Sequence, residues 1–156
     1  MSLLLWLSVA LGADLVLAER GTGERLVEVP VTVTVDGVAL TEVGVRKKGF
    51  LGSMSTDRPS LKLRFDKFVD GQRLDGALKR ITLNNVQQDP SKLNTCMSYG
   101  VFAAAGIPAP RCNFATVEVN GADLGVFVHV ESVKTAFLER HFENPDGNLY
   151  EGALSD

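Results

Sequence analysis

Two neighbouring stretches carry residues suited to phosphate chemistry. Gly49-Phe50-Leu51-Gly52-Ser53 is a glycine-punctuated loop, and nine residues beyond Ser53 comes Lys62 in an alternating segment. Leu61, Leu63 and Phe65 share one side of that segment, while Ser60, Lys62, Arg64 and Asp66 share the other. A flexible glycine loop lets backbone amides approach phosphate oxygens, and a strand-borne lysine presents them with a compact positive charge. The charge map points the same way. Ten basic residues and four acids lie between Arg46 and Arg80, a balance of +6, whereas the rest of the chain carries −9 and the whole −3. Positive charge concentrated in an acidic protein is what an anion site needs. A solvated basic face has the same composition.

Other catalytic constellations are missing. The chain has no P-loop, no G-x-S-x-G elbow and no H-E-x-x-H zinc motif. The glycine loop lacks the full G-x-G-x-x-G spacing, and no H-R-D or D-F-G accompanies Lys62 as it does the strand lysine of protein kinases. His129 and Glu131 share a face opposite Val128 and Val130, which reads as ordinary strand polarity before it reads as an acid–base pair. Glu139, Glu143, Asp146 and Glu151 are scattered charges, so no metal ligands are assigned. Cys96 and Cys112 are too few for a disulfide scaffold or a structural zinc site. Cys96 falls on an apolar helical face and is expected to be a packed thiol.

These residues need a scaffold, and its pattern is mostly strand. Val27, Val29, Val31, Val33 and Val35 alternate with polar residues and predict a strand, near an edge because of Pro30. Asp36-Gly37 predicts a tight turn, and the parity shift from Val38 and Leu40 to Val43 and Val45 predicts a bulge. Lys62 has its own strand, and Ile81 and Leu83 mark another. Asp89-Pro90 predicts the start of the main helix, with Leu93, Cys96, Met97, Gly100, Val101 and Ala104 on its apolar face. Gly106 and Pro108 end it. Ala115, Val117 and Val119 then pair across Asn120-Gly121 with Leu124, Val126, Val128 and Val130. Ser132 is expected to cap a second helix through Phe142, and Asn148-Leu149-Tyr150 to begin a last strand. The result is an α+β domain, an antiparallel sheet with one main helix.

At 156 residues the chain fits one domain with a real core. Hydrophobic residues at 45% and charged residues at 22% exclude a disordered, collagen-like or membrane-embedded chain, and the net charge argues against nucleic acid as partner. The apolar run Ser2–Gly12 is too short to span a bilayer as a helix. It reads either as part of a secretory leader over residues 1–24 or as an edge strand or helix packed on the domain. A leader is supported by the small residues around Ala18 and opposed by the lack of Lys or Arg before the apolar run. The destination is accordingly secreted, cell-surface or spore-associated on the first reading and cytoplasmic on the second.

Several runs taken together resemble the spore coat protein H family, the CotH kinases. These are VGVRKKGFLGS, RPSLKLRFDKF, LKRITLNN, the stretch from QDPSKLNTCMSYG through GIPAPRC to VNGADLGVFVHVES, and GNLYEG. The motifs occur in order from about Val31 to Gly152. The family's frequent R-G-N-S loop reads here as Arg46-Lys47-Lys48-Gly49-Phe50-Leu51-Gly52-Ser53, a departure at the loop itself.

The resemblance implies a kinase-like fold, with residues 25–156 forming its amino-terminal lobe and the start of the second. It implies ATP and Mg2+ as cofactors and phosphorylation of serines on a coat or surface protein. Lys62 would meet the nucleotide phosphates, with Arg64 beside it and Gly49, Gly52 and Ser53 in the covering loop. Glu131 and Ser132 would lie in the segment linking the lobes, where backbone groups meet adenine. Asn84 falls in the matching L-N motif. The catalytic and metal-binding aspartates, including a W-D-x-D-like segment, are expected downstream of Asp156; the only tryptophan here is Trp6. A non-catalytic coat or surface module with the same fold, binding a protein partner, is the alternative.

Overall fold

The computed structural model describes residues 5–10, 29–48, 55 and 57–150. In chain order they form β1 (Leu5–Ala10), β2 (Val29–Val35), β3 (Val38–Lys47), β4 (Leu61–Arg64), β5 (Arg80–Asn84), α1 (Asn94–Ala104), β6 (Cys112–Val119), β7 (Ala122–Val130) and α2 (Thr135–His141). The strands follow the order β1-β2-β3-β4-β5-β7-β6 and close into a barrel. All neighbours are antiparallel except β1 and β6, whose parallel pairing closes the ring. The α+β expectation therefore holds at the level of a mostly antiparallel sheet with two helices. The segment read as leader or strand contributes β1, which pairs on both sides.

Alternation builds the core. Val31, Val33 and Val35 of β2, Val43 and Val45 of β3, Leu61 and Leu63 of β4, and Ile81 and Leu83 of β5 all point inward and are buried. Ala115 and Val117 of β6 and Phe127 of β7 complete the ring, with Phe65 and Leu74 joining the same cluster. Two hairpins fix the register. Asp36-Gly37 and Asn120-Gly121 have positive φ at both residues, as primed turns require. The expected bulge in β3 is present: the register slips between the Val31–Val43 and Val33–Leu40 pairs, and Glu42 takes φ 56°.

Four expectations fail for local reasons. The main helix begins at Asn94, not Asp89. Asp89 still acts as a cap, but of a tight turn: its carboxylate accepts from the Ser91 amide at 3.1 Å, the Ser91 hydroxyl at 2.6 Å and the Asn94 amide at 3.0 Å. Lys92 at φ 60° then breaks helical continuity. Nor is the helix a core element, because α1 buries none of its side chains. Its end is as expected: Gly106 at φ 77° and Ile107 donate to Ala103 and Phe102 carbonyls, a Schellman closure. The second helix starts at Thr135 after Lys134 and has no side-chain cap, so Ser132 does not cap it. Residues 148–150 form no strand.

A fifth concerns β7. Leu124 packs against the core, yet so does Phe127, three residues later. The register slips between the Val117–Gly125 and Glu118–Asp123 pairs, and Gly125 at φ 73° absorbs the extra residue. Parity inverts there. Phe127 and His129 consequently take the inner side, His129 opposite Leu83.

Candidate functional site

β3 and β4 pair so that Arg46 lies across from Lys62, and β5 places Thr82 on Lys62's other side. Leu61, Leu63 and Phe65 are buried, so Lys62 and Arg64 project from the outer face. Lys47 turns the opposite way, is the register partner of Leu61 and is only 4% exposed. Lys48 returns to the side of Arg46 and Lys62, where its ammonium donates to Asn84 Oδ1 at 2.6 Å. Asn84 in turn donates from Nδ2 to the Val128 carbonyl at 3.3 Å, which fixes the amide's orientation against β7.

Arg46, Lys48, Lys62 and Asn84 thus meet at one end of the outer face. Burial pushes the Lys48 ammonium below its ordinary value of 10.5, and repulsion from Lys62 and then Arg46 adds to the shift. A partly buried cation destabilised by two neighbouring cations is a place where an anion is welcome. β3 ends at Lys47, shortly before Gly49, Gly52 and Ser53 in the sequence. Those three residues lie outside the described residues.

Arg64 behaves differently from Lys62 although it shares the strand face. Its Nε donates to Asp66 at 3.0 Å, and Arg73 approaches the other Asp66 oxygen at 3.6 Å. The Arg64 hydrogen bond, reinforced by the charges of Arg64, Arg73 and Arg80, holds the Asp66 carboxyl below its ordinary range. The basic stretch is therefore divided. At its Arg64 end Arg64 and Arg73 share the Asp66 carboxylate, and at its Lys62 end Lys48 bonds the Asn84 amide.

A second network secures the approach to this end. The Arg58 guanidinium donates to the carbonyls of Leu124 at 2.7 Å, Asn85 at 3.0 Å and Val126, and its carbon lies 4.5 Å from the Phe127 ring centre. Asn85, itself buried, returns a bond from Nδ2 to the Arg58 carbonyl at 2.7 Å, and its backbone amide donates to Ser60 Oγ at 3.0 Å. The segment around Arg58 is in this way pinned to β5 and β7 just before Lys62.

Glu131 and Ser132 follow β7. The Glu131 carboxylate accepts two bonds from Arg140, at 2.6 and 2.5 Å, and one from the Arg111 amide at 2.9 Å. These bonds, Arg140's first, keep its pKa below the ordinary 4.5. The Glu131 side chain is thus a structural tie between β7 and α2, and its backbone amide donates to the Arg111 carbonyl at 2.9 Å. Burial pushes His129 below 6.5, against a smaller opposing pull from Glu131. Among the described residues no three His, Cys, Asp or Glu gather to hold a metal ion, and no helix is long and apolar enough to cross a membrane.

Sequence reasoning named Lys62 as a candidate and noted Asn84, but did not name Arg46 and Lys48, which the structure places beside them. Their signal was present in the even spacing of Arg46, Lys48 and the opposing Lys62, and it became visible only with the β3–β4 register. It also missed the pairing of Cys96 with Cys112, which form a disulfide between α1 and β6. The packed-thiol expectation is corrected by that bond.

The family model described as CotH kinase protein matches residues 45–156. The chain is 34% identical over 72 residues to "Inner spore coat protein H" of Bacillus subtilis (strain 168), a match covering 46% of this chain and 20% of that protein. It is 23% identical over 103 residues to "Inner spore coat protein H-like protein" of the same organism, covering 66% of this chain and 32% of that protein. The matches therefore span about a fifth and about a third of the two relatives' lengths. With the family model covering most of the chain, including the entire cation cluster, the protein belongs to the CotH kinase protein family.

Proposed function

We propose that Arg46, Lys48 and Lys62 bind the phosphates of ATP, and that this barrel is the nucleotide-facing part of a CotH-type protein serine kinase with a kinase-like amino-terminal lobe. One observation carries the reading: Lys48 is held by Asn84 in a partly buried position where Lys62 and Arg46 both repel it. An anion among the three would convert that repulsion into attraction. Lys62 supplies a point charge from a short strand whose other face is locked in the core. Arg58 and Asn85 pin the segment just before Lys62, and Gly49, Gly52 and Ser53 would cover the phosphates. The Glu131 carbonyl and the main-chain groups of Ser132 would meet the adenine, the Glu131 amide being taken by the Arg111 carbonyl. Magnesium would neutralise phosphate charge during transfer. Among the described residues no three His, Cys, Asp or Glu gather to hold it.

Family membership and the relatives' names also support a coat protein, and a non-catalytic coat or surface module remains the second reading. Its specific support is α1, whose Met97, Val101 and Phe102 are exposed in a stretch from Leu93 to Pro110 that carries no charge. Such a face suits an apolar protein partner.

Calorimetric titration with ATP separates the readings. Lys62→Ala should weaken binding about ten-fold or more, the equivalent of a charge-assisted contact of about 1.5–3 kcal/mol. Its melting temperature should stay near that of the wild type, because Lys62 lies on the outer face. Equal affinity for wild type and variant would remove Lys62 from the site. Absence of ATP binding by the wild type would favour the non-catalytic module, and radiolabel transfer to a serine-rich protein would favour the kinase.

A further inference from the structure

We propose that the Cys96–Cys112 disulfide is the tie that holds α1 on the barrel, so that the helix is docked when the pair is oxidised and released when it is reduced, while the barrel stays folded in both states. The bond joins the first turn of α1 to the first residue of β6, with the two Cα atoms 5.2 Å apart.

Little else restrains α1. It buries no side chain, the side-chain bond at its start is that of the exposed Asp89 to the Asn94 amide, and it carries neither an acidic residue in its first turn nor a basic one in its last. It has only 11 residues, with Gly100 in its interior and the β-branched Thr95 and Val101 along it. Helices shorter than about 12–15 residues are marginal in water without tertiary support, and interior glycine weakens them further. Its packing neighbour among the strands is β6, the strand to which the disulfide attaches it. The core of the domain lies elsewhere, inside the barrel, and includes no residue of α1. Loss of the tie therefore removes the support of the helix and leaves the barrel's own support intact.

Both cysteines are only half-buried, so a small dithiol can reach them. Thiolate attack on one sulfur breaks the S–S bond through a mixed disulfide, and the second thiol of the reductant resolves it. Two electrons and two protons pass to the protein, giving Cys96 and Cys112 as thiols, and the dithiol becomes a cyclic disulfide. Oxidising compartments preserve such bonds and the cytosol reduces them, so the position of α1 would report the compartment. Its uncharged face would be held at a fixed place on β6 only in the oxidised protein.

Hydrogen exchange read by mass spectrometry on the full chain, with and without excess dithiothreitol, tests the tie. On reduction, amides in residues 94–105 should exchange at least ten-fold faster, while those of β4 and β5 keep their rates. Cys112→Ser should show fast exchange in α1 without reductant and no response to it. Unchanged exchange in α1 on reduction would overturn the proposal. So would an equal loss of protection in β4 and β5, which would make the bond a support of the whole domain. Labelling of both cysteines by iodoacetamide in the native, untreated protein would overturn it too.

Discussion

Lys48 Nζ donates to Asn84 Oδ1 at 2.6 Å, bridging the end of β3 and the end of β5 across 36 residues of sequence. The contact orients an ammonium that would otherwise avoid Lys62 and Arg46. It also explains why an asparagine stands at the end of β5. An amide can accept from the cation and donate to the Val128 carbonyl at once, whereas a carboxylate could only accept and would cancel the cluster's charge.

The first prediction concerns that balance. Asn84→Asp should weaken binding of ATP or of inorganic tripolyphosphate about ten-fold, through charge cancellation, with the barrel's melting temperature little changed. Lys48→Met should weaken binding similarly but leave the folded protein as stable as before, because it removes a repelled, partly buried cation. Titration calorimetry at two ionic strengths checks both, and the wild type's affinity should fall as salt rises. Salt-independent affinity would mean that phosphate contacts lie elsewhere.

Arg58 is a matter of stability. Arg58→Ala leaves the Leu124, Asn85 and Val126 carbonyls without their donor and removes the cation from the Phe127 face. The expected loss is about 1–3 kcal/mol in urea unfolding. Arg58→Lys should recover little of it, since one ammonium cannot reproduce a planar fork aimed at three carbonyls. Full recovery by lysine would show that charge alone matters at this position.

Acid should act on the Glu131–Arg140 tie in a defined direction. Glu131's folded pKa lies below the ordinary 4.5, chiefly because Arg140 bonds its carboxylate. Its stabilising contribution is therefore complete above about pH 4.5 and is lost as pH falls through the lower, folded value. The partners are partly exposed, which limits the contribution to about 1 kcal/mol. Arg140→Met should lower the melting temperature at pH 7, and the gap from wild type should close as the pH falls below 4. A gap of constant size would assign the effect to packing against Phe137, which Arg140 also overlies.

The sequence was legible where a short-range rule decides the structure. Asp36-Gly37 and Asn120-Gly121 make turns because few other pairs tolerate two positive φ angles, and Gly106 closes α1 for the same reason. Lys62 was legible because a period of two around buried leucines leaves no choice of face. What depends on long-range partners was not legible. Asp89 looks like a helix cap because a carboxylate bonds a tight turn and a first helical turn with equal ease. The apolar spacing of α1 does not say whether a core is there to receive it. A bulge at Gly125 inverts the parity of β7 and conceals Phe127 as a core residue, and Lys48 joins the cation cluster only through the β3–β4 register. Cys96 and Cys112 likewise meet through the packing of α1 on β6.

Gly44 sets a limit on how closely the turn after β4 can approach β3. It pairs with Arg64, and a Cβ built on it would fall 2.7 Å from Lys67 Cβ and 2.8 Å from Lys67 Cγ. These atoms lie next to the Lys67 backbone, so rotation of a flexible side-chain end cannot relieve the overlap. Gly44→Ala must displace either β3 or the turn that carries Asp66. The expected cost is that of overpacking, about 1–3 kcal/mol. Lys67→Gly removes the opposing Cβ, so in the double variant Gly44→Ala should cost much less than it does alone. The turn is also where Asp66 holds Arg64, whereas Lys62 lies two residues before Arg64, farther from the turn. Urea unfolding of the four proteins in the cycle measures the coupling, and ATP titration reads the site. Strong coupling with unchanged ATP affinity is the expected result. Additive effects would place the strain of Gly44→Ala elsewhere than against Lys67, and a loss of affinity equal to that of Lys62→Ala would show that the turn and the cation cluster move as one body.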